Sequence, residues 1–181
     1  IYLKGKTDFK MSEMVHVGED HLVGDVIALT RDTTTVQVFE ETTGLKPGAE
    51  VTATGDAISV TLGPGILSNI FDGIQRPLSE IAAQSGKYIS RGVSVDSLNT
   101  QKKWDVHVTV KPGDEVVGGM IFAETQETRS ILHKSMIPPL LGGTIKEVVP
   151  DGSYTIQDKI AVLELADGTT RDLTLCQKWP I

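Results

Sequence analysis

The sequence predicts a mainly β fold in two modules, and three features of the 181-residue chain carry that expectation. Turn-forming glycines and prolines recur along its whole length, from Gly18 to Asp167-Gly168. The runs between them are short and rich in Val, Ile and Thr, which suit a pleated, half-buried surface. Helical spacing of apolar residues is confined to one brief stretch near the middle. Short strands at such regular spacing build barrels or sandwiches.

Strands of a first group are expected over residues 15–17, 22–29, 34–39, 50–53 and 58–62. In the last of these, Ile58, Val60 and Leu62 alternate with Ser59 and Thr61, so one face is buried. Gly63-Pro64-Gly65 then breaks the strand, because Pro64 fixes φ and the glycines admit a tight reversal. Ile66, Leu67, Ile70, Phe71 and Ile74 follow at helical spacing and predict a short amphipathic turn or helix. Arg76-Pro77 stops it, since the residue before a proline is pushed out of the α region. Residues 78–84 predict one or two helical turns, and 85–99 a turn-rich connection. A second group of strands is expected over 106–110, 115–124, 143–149, 160–165 and 171–177. The division is thus a β-barrel with its exit helix over 1–78, a connection over 79–104 and a second β domain over 105–181. Within the second group, Gly118-Gly119-Met120-Ile121 is echoed by Gly142-Gly143-Thr144-Ile145, 24 residues later. Pattern alone leaves two readings of that echo open: a barrel-sandwich hybrid of quasi-duplicated hairpins, or an ordinary hairpin with glycine bulges.

Composition narrows the function. Apolar residues make up 39% of the chain, ordinary for a globular protein. No apolar run approaches the ~20 residues that span a bilayer, so direct membrane insertion is not expected. No signal peptide opens the sequence, and the lone Cys176 cannot staple the fold; both fit a soluble, cytoplasmic protein. A net charge of −7 disfavours phosphate backbones, and 5% aromatics are few for base stacking, so nucleic acid is not an expected partner.

The chemistry-bearing residues suggest no reaction. No window matches Gly-x-x-x-x-Gly-Lys-[Ser/Thr], the loop whose N–H groups wrap phosphates; Ser85-Gly86-Lys87-Tyr88 lacks both the earlier glycine and the hydroxyl. His16, His21, His107 and His133 show no metal-ligand spacing, so no metal site is expected. Glu40 and Glu41 are adjacent in a strand pattern and point to opposite faces, so they cannot converge on one substrate atom. One of them is expected to pair within the barrel or with a neighbouring subunit. Cys176 reads as an inert buried thiol. Catalytic, cofactor-binding and metal residues are therefore all read as none. Lys134 could bear biotin or lipoate only at a hairpin tip, and His133-Lys134-Ser135-Met136 has the wrong neighbours for a carrier.

Four motifs, in order, carry a resemblance. Val38-Phe39-Glu40-Glu41-Thr42-Thr43-Gly44, the Gly63-Pro64-Gly65 turn with Asp72-Gly73-Ile74-Gln75-Arg76-Pro77-Leu78, His133-Lys134-Ser135-Met136-Ile137-Pro138-Pro139 and Gln177-Lys178-Trp179-Pro180-Ile181 resemble segments of the catalytic A subunit of the rotary V-type and A-type ATPases. That resemblance implies an N-terminal β-barrel followed by a barrel-sandwich-hybrid-like insert, the bulge domain. It implies a non-catalytic piece ending where the nucleotide-binding domain begins. The barrels would join B subunits in the crown of the hexamer, and the bulge would meet peripheral stalk subunits. The whole protein would bind ATP and Mg²⁺ and couple ATP hydrolysis or synthesis to movement of H⁺ or Na⁺, in a soluble head peripheral to a membrane. Family members open with a Gly-Pro-Val-Val strand that Ile1 to Lys10 lacks. Either the barrel misses that edge or residues 1–7 supply it. Thr61 stands where the family often has Glu. The alternatives are a stand-alone adaptor without ATPase activity and a biotinyl- or lipoyl-type carrier using Lys134.

Overall fold

A computed structural model describes residues 1–5, 7–67, 69–86 and 91–181. The chain forms two units that interleave along the sequence: Ile1–Val60, Phe71–Val95 and Trp179–Ile181 make the first, and Thr61–Ile70 with Asp96–Lys178 the second. The sequence pattern suggests instead one boundary between Leu78 and Trp104.

In the first unit, β1 (Tyr2–Lys4), β2 (Glu13–Val17), β3 (Leu22–Leu29), β4 (Thr33–Val38) and β5 (Val51–Ala57) form an antiparallel sheet in the order β1-β4-β3-β2-β5. Alternation decides which side is buried: Val15, Val17, Leu22, Val26 and Val36 form the core, flanked by Leu3, Phe9, Val38, Leu45 and Val51. A register shift between Val26 and Ala28 ends the alternation of β3, leaving Ile27 and Leu29 exposed. The first residues do supply a strand. The Ile1 N–H donates to the Val36 carbonyl at 2.8 Å, and the Val36 N–H returns the bond to Ile1 at 2.9 Å. A second shift, between Glu13 and Val15, faces Gly55 at φ +82°. There the buried Glu13 carboxylate accepts the N–H groups of Lys10 (2.7 Å) and Gly55 (2.9 Å), which the irregular ladder leaves without a strand partner.

Of the short amphipathic turn or helix expected from residue 66 onward, the described residues form turns only. Among the described residues of that stretch (Ser68 lies outside them) there is no helix, and Ile70 is 74% exposed. Helical spacing failed because local side chains capture the backbone: Asp72 folds residues 72–76 into a turn, with Gln75 at φ +60°. Pro77 begins a helix instead of ending one. With φ −64° and ψ 123° it occupies the N-cap of α1 (Leu78–Ser85), whose buried side chain is Ile81. Of the expected connection, residues 87–90 lie outside the described residues. A two-stranded sheet joins β6 (Ser59–Leu62) to β15 (Gln177–Pro180).

The second unit holds β7 (Trp104–Val108), β8 (Glu115–Val117), β9 (Ile121–Gln126), β10 (Leu132–Met136), β11 (Gly142–Val148), β12 (Gly152–Tyr154), β13 (Ala161–Leu165) and β14 (Thr170–Leu173). They form two four-stranded antiparallel sheets, β10-β9-β7-β12 and β14-β13-β11-β8. Val106, Val116, Phe122, Ile137, Ile145, Ile160, Leu163 and Leu173 are buried. The strand expected over 115–124 is split in two by the first Gly-Gly. Gly119 takes φ +88°, and a Cβ on Gly118 would lie 2.2 Å from the Pro139 carbonyl oxygen. The second Gly-Gly pairs with the strand leading into the first, Gly142 opposite Val117 and Gly143 opposite Val116. A Cβ on Gly143 would lie 2.0 Å from the Glu164 carbonyl oxygen. Gly143→Ala is therefore expected to destabilise the chain by roughly 1–3 kcal/mol, the usual range for overpacking. Gly73→Ala, whose Cβ meets nothing within 4 Å, should change little. Urea midpoints of the two variants check this.

Candidate functional site

In the first unit the motif from Asp72 to Pro77 folds into a closed turn. The Asp72 N–H donates to the Arg76 carbonyl (3.1 Å), and Phe71 and Pro77 form an isolated bridge. The Asp72 carboxylate accepts the N–H groups of Ile74 (3.1 Å) and Arg76 (2.8 Å) on Oδ1 and the Arg76 Nε on Oδ2 (2.8 Å). From that turn the guanidinium reaches outward. Arg76 Nη1 donates to Glu40 Oε1 (3.3 Å) and to the Val93 carbonyl (3.0 Å). Glu40 Oε2 accepts the Gly92 N–H at 2.9 Å. Arginine suits this place because its planar fork serves several acceptors at once. The side chains of Arg76, Glu40 and Asp72 are only 13%, 9% and 19% exposed, so the charges are weakly screened.

Next to this network, Arg91 donates to the Thr43 carbonyl and pairs with Asp20 at 3.1 Å. Gly92 lies so close to the Asp20 carbonyl oxygen that a Cβ would approach it to 2.4 Å. An open cleft of about 870 Å³ adjoins Arg91, lined by Asp20, Lys46 and Glu50 among others. Glu41, by contrast, only accepts the Thr43 hydroxyl (2.6 Å) on the surface.

The second unit has its own carboxylate centre. Glu127, with a side chain 2% exposed, accepts the N–H groups of Gly65 (2.8 Å) and Leu67 (2.9 Å) on Oε1, while Oε2 lies 3.3 Å from His133 Nδ1. Burial pushes the His133 imidazole below its usual pKa, and the nearby Glu127 charge and hydrogen bond only partly pull it back. His107 behaves oppositely: its exposed ring meets Asp151 at 2.6 Å, and that hydrogen bond raises it.

Glu40 thus pairs inside the first unit, as one of the two alternatives for the Glu-Glu pair required. His133 is a hydrogen-bonding residue of β10. His16 stacks edge-on against His21, centroids 6.0 Å apart. Cys176 donates its thiol to the Ile156 carbonyl at 3.3 Å. Lys134 sits in mid-strand opposite Glu124, not at a hairpin tip, so the geometry a carrier lysine needs is not met. Among the described residues no three His, Cys, Asp or Glu side chains gather as a metal site. Sequence reasoning missed Glu127, Glu13 and Arg91, each of which has at least one partner from a distant segment.

Residues 1–55 match the β-barrel domain of the ATP synthase alpha/beta family, and residues 95–181 match the ATP synthase alpha/beta subunit barrel-sandwich domain. The chain belongs to the ATP synthase alpha/beta family. Within this family, it resembles the V-type ATP synthase alpha chain of Halothermothrix orenii, 47% identical over 96% of this chain and 29% of the relative. The A subunit of the A-type ATP synthase of Methanopyrus kandleri is 46% identical over 95% of the chain and 29% of the relative. That of Thermofilum pendens is 44% identical over 100% of the chain and 30% of the relative. The chain therefore spans under a third of the length of these relatives, in their N-terminal regions. The family match settles the sequence echo in favour of the barrel-sandwich reading over an ordinary hairpin.

Two outcomes follow from the ionic geometry. Arg76→Ala is expected to cost roughly 2–4 kcal/mol of stability at neutral pH, because two nearly buried carboxylates lose their counter-charge. Burial raises the Asp72 carboxyl, but the Arg76 N–H, its guanidinium and the Ile74 N–H together hold it below 3.8. Its stabilisation is therefore complete above that value and lost as the pH falls through the folded pKa. The variant should flatten this acid limb, as urea titrations across pH would show. For the histidines, NMR titration should place the His133 midpoint below 6.5 and that of His107 above it. On acidification the unfolded chain protonates before His133 does, so His133's contribution is present above pH 6.5 and declines below it. The His107 contribution is present at low pH and fades as the pH rises through its folded pKa.

Proposed function

We propose that this chain is the non-catalytic N-terminal and bulge region of the A-type subunit of a rotary V/A-type ATPase, and that it serves assembly. Its barrel joins B subunits in the crown of the hexamer, and its barrel-sandwich unit meets the peripheral stalk. The observation that carries the reading is the 44–47% identity over 95–100% of the chain to V-type and A-type ATP synthase chains. The site chemistry agrees with a scaffold. Glu13, Glu40, Asp72 and Glu127 are occupied by backbone N–H groups and by Arg76, an arrangement that stiffens loops without activating a nucleophile. ATP and Mg²⁺ binding, and coupling to H⁺ or Na⁺ movement in a head peripheral to a membrane, are assigned to the whole protein and to no residue of this chain.

Reading the source gene past the Ile181 codon tests the assignment. A frame continuing into Gly-x-x-x-x-Gly-Lys-[Ser/Thr] is expected, and a stop codon there would leave a stand-alone adaptor as the better account. The 181-residue chain should also capture the B subunit from the same source in a pull-down. Failure of a chain shown to be folded by circular dichroism would remove the assembly role.

A further inference from the structure

The segment from Gly63 to Leu67 has no strand or helix to hold its amides, yet it runs close against the second unit, to which it belongs. Two glycines make that approach possible. A Cβ at residue 63 would lie 2.9 Å from the Cys176 Cβ, and one at residue 65 would lie 3.3 Å from Cζ2 of the buried Trp104 ring, with Gly65 at φ +101°. On the far side of the segment, Asn69 Nδ2 donates to the Gly65 carbonyl at 2.7 Å. One oxygen serves two of the segment's amides: Glu127 Oε1 accepts both the Gly65 and the Leu67 N–H. We infer that residues 63–67 form a strap on the barrel-sandwich unit and that Glu127 is its latch, with His133 holding the other carboxylate oxygen. The latch is a carboxylate because one anionic oxygen can serve two N–H groups more strongly than a neutral acceptor can. His133 Nδ1 lies 3.3 Å from Oε2, on the carboxylate oxygen that does not serve the strap.

This inference is independent of the assembly reading, and amide hydrogen exchange tests it. In the wild-type chain the Gly65 and Leu67 amides should be protected. Glu127→Ala should speed their exchange about ten- to hundredfold, the loss expected for a charge-assisted hydrogen bond, while Phe122 and Ile145 amides keep their protection. Glu127→Gln keeps an acceptor oxygen and should lose less, but its missing charge should lower the His133 titration midpoint further. An unchanged midpoint would remove His133 as the holder of the other carboxylate oxygen. Unprotected Gly65 and Leu67 amides in the wild-type chain would overturn the latch outright, even if Glu127→Ala does not fold. So would equal exchange at both amides in wild type and a folded Glu127→Ala.

Discussion

A loop folded against a protein body must satisfy N–H groups that no strand ladder holds, and this chain meets that constraint with carboxylates. Glu13 closes the irregular start of β2, Glu40 holds Gly92, Asp72 ties its own turn, and Glu127 holds the strap. Each accepts at least one backbone N–H at 2.7–3.1 Å. An anionic acceptor is stronger than a neutral one, and a second charge at Arg76 offsets the repulsion where two carboxylates come near. The strands supply the cores; these acids decide the path of the chain between strands.

The strands were the legible part of the sequence. Val15, Val17, Leu22 and Val26 alternate cleanly, and their burial follows the alternation. β10 was not legible because its burial runs against residue type: Ser135 is buried while Leu132 is 44% exposed. β12 and β15 are too short, three and four residues, for period-two patterning to register. The helical spacing after Gly65 was real in the sequence but had no face to bury, and Asp72 and Glu127 drew its backbone elsewhere. That is a competition between side chains and helix for the same amides.

The candidate site was legible only where its parts are local. Asp72 and Arg76 lie four residues apart, and the motif showed them together. Glu127 lies 62 positions from Gly65 and looks like any acidic residue after a strand. No pattern within a short window marks it as buried. Glu40 was visible as half of an acidic pair, but which of the two would turn inward depended on Arg76 and Gly92, which come from elsewhere in the chain.

The interleaving of the units has a practical corollary for anyone who dissects the chain. Residues 61–70 group with 96–178, and 71–95 and 179–181 group with 1–60. No single cut frees either unit intact. A graft of the barrel into another protein must bring α1 and the Asp72 turn from further along the chain, and a graft of the barrel-sandwich unit must bring the strap from before it. Sequence order and compact unit are different partitions of this molecule, and a swap between relatives that follows the second leaves the contacts within each unit together.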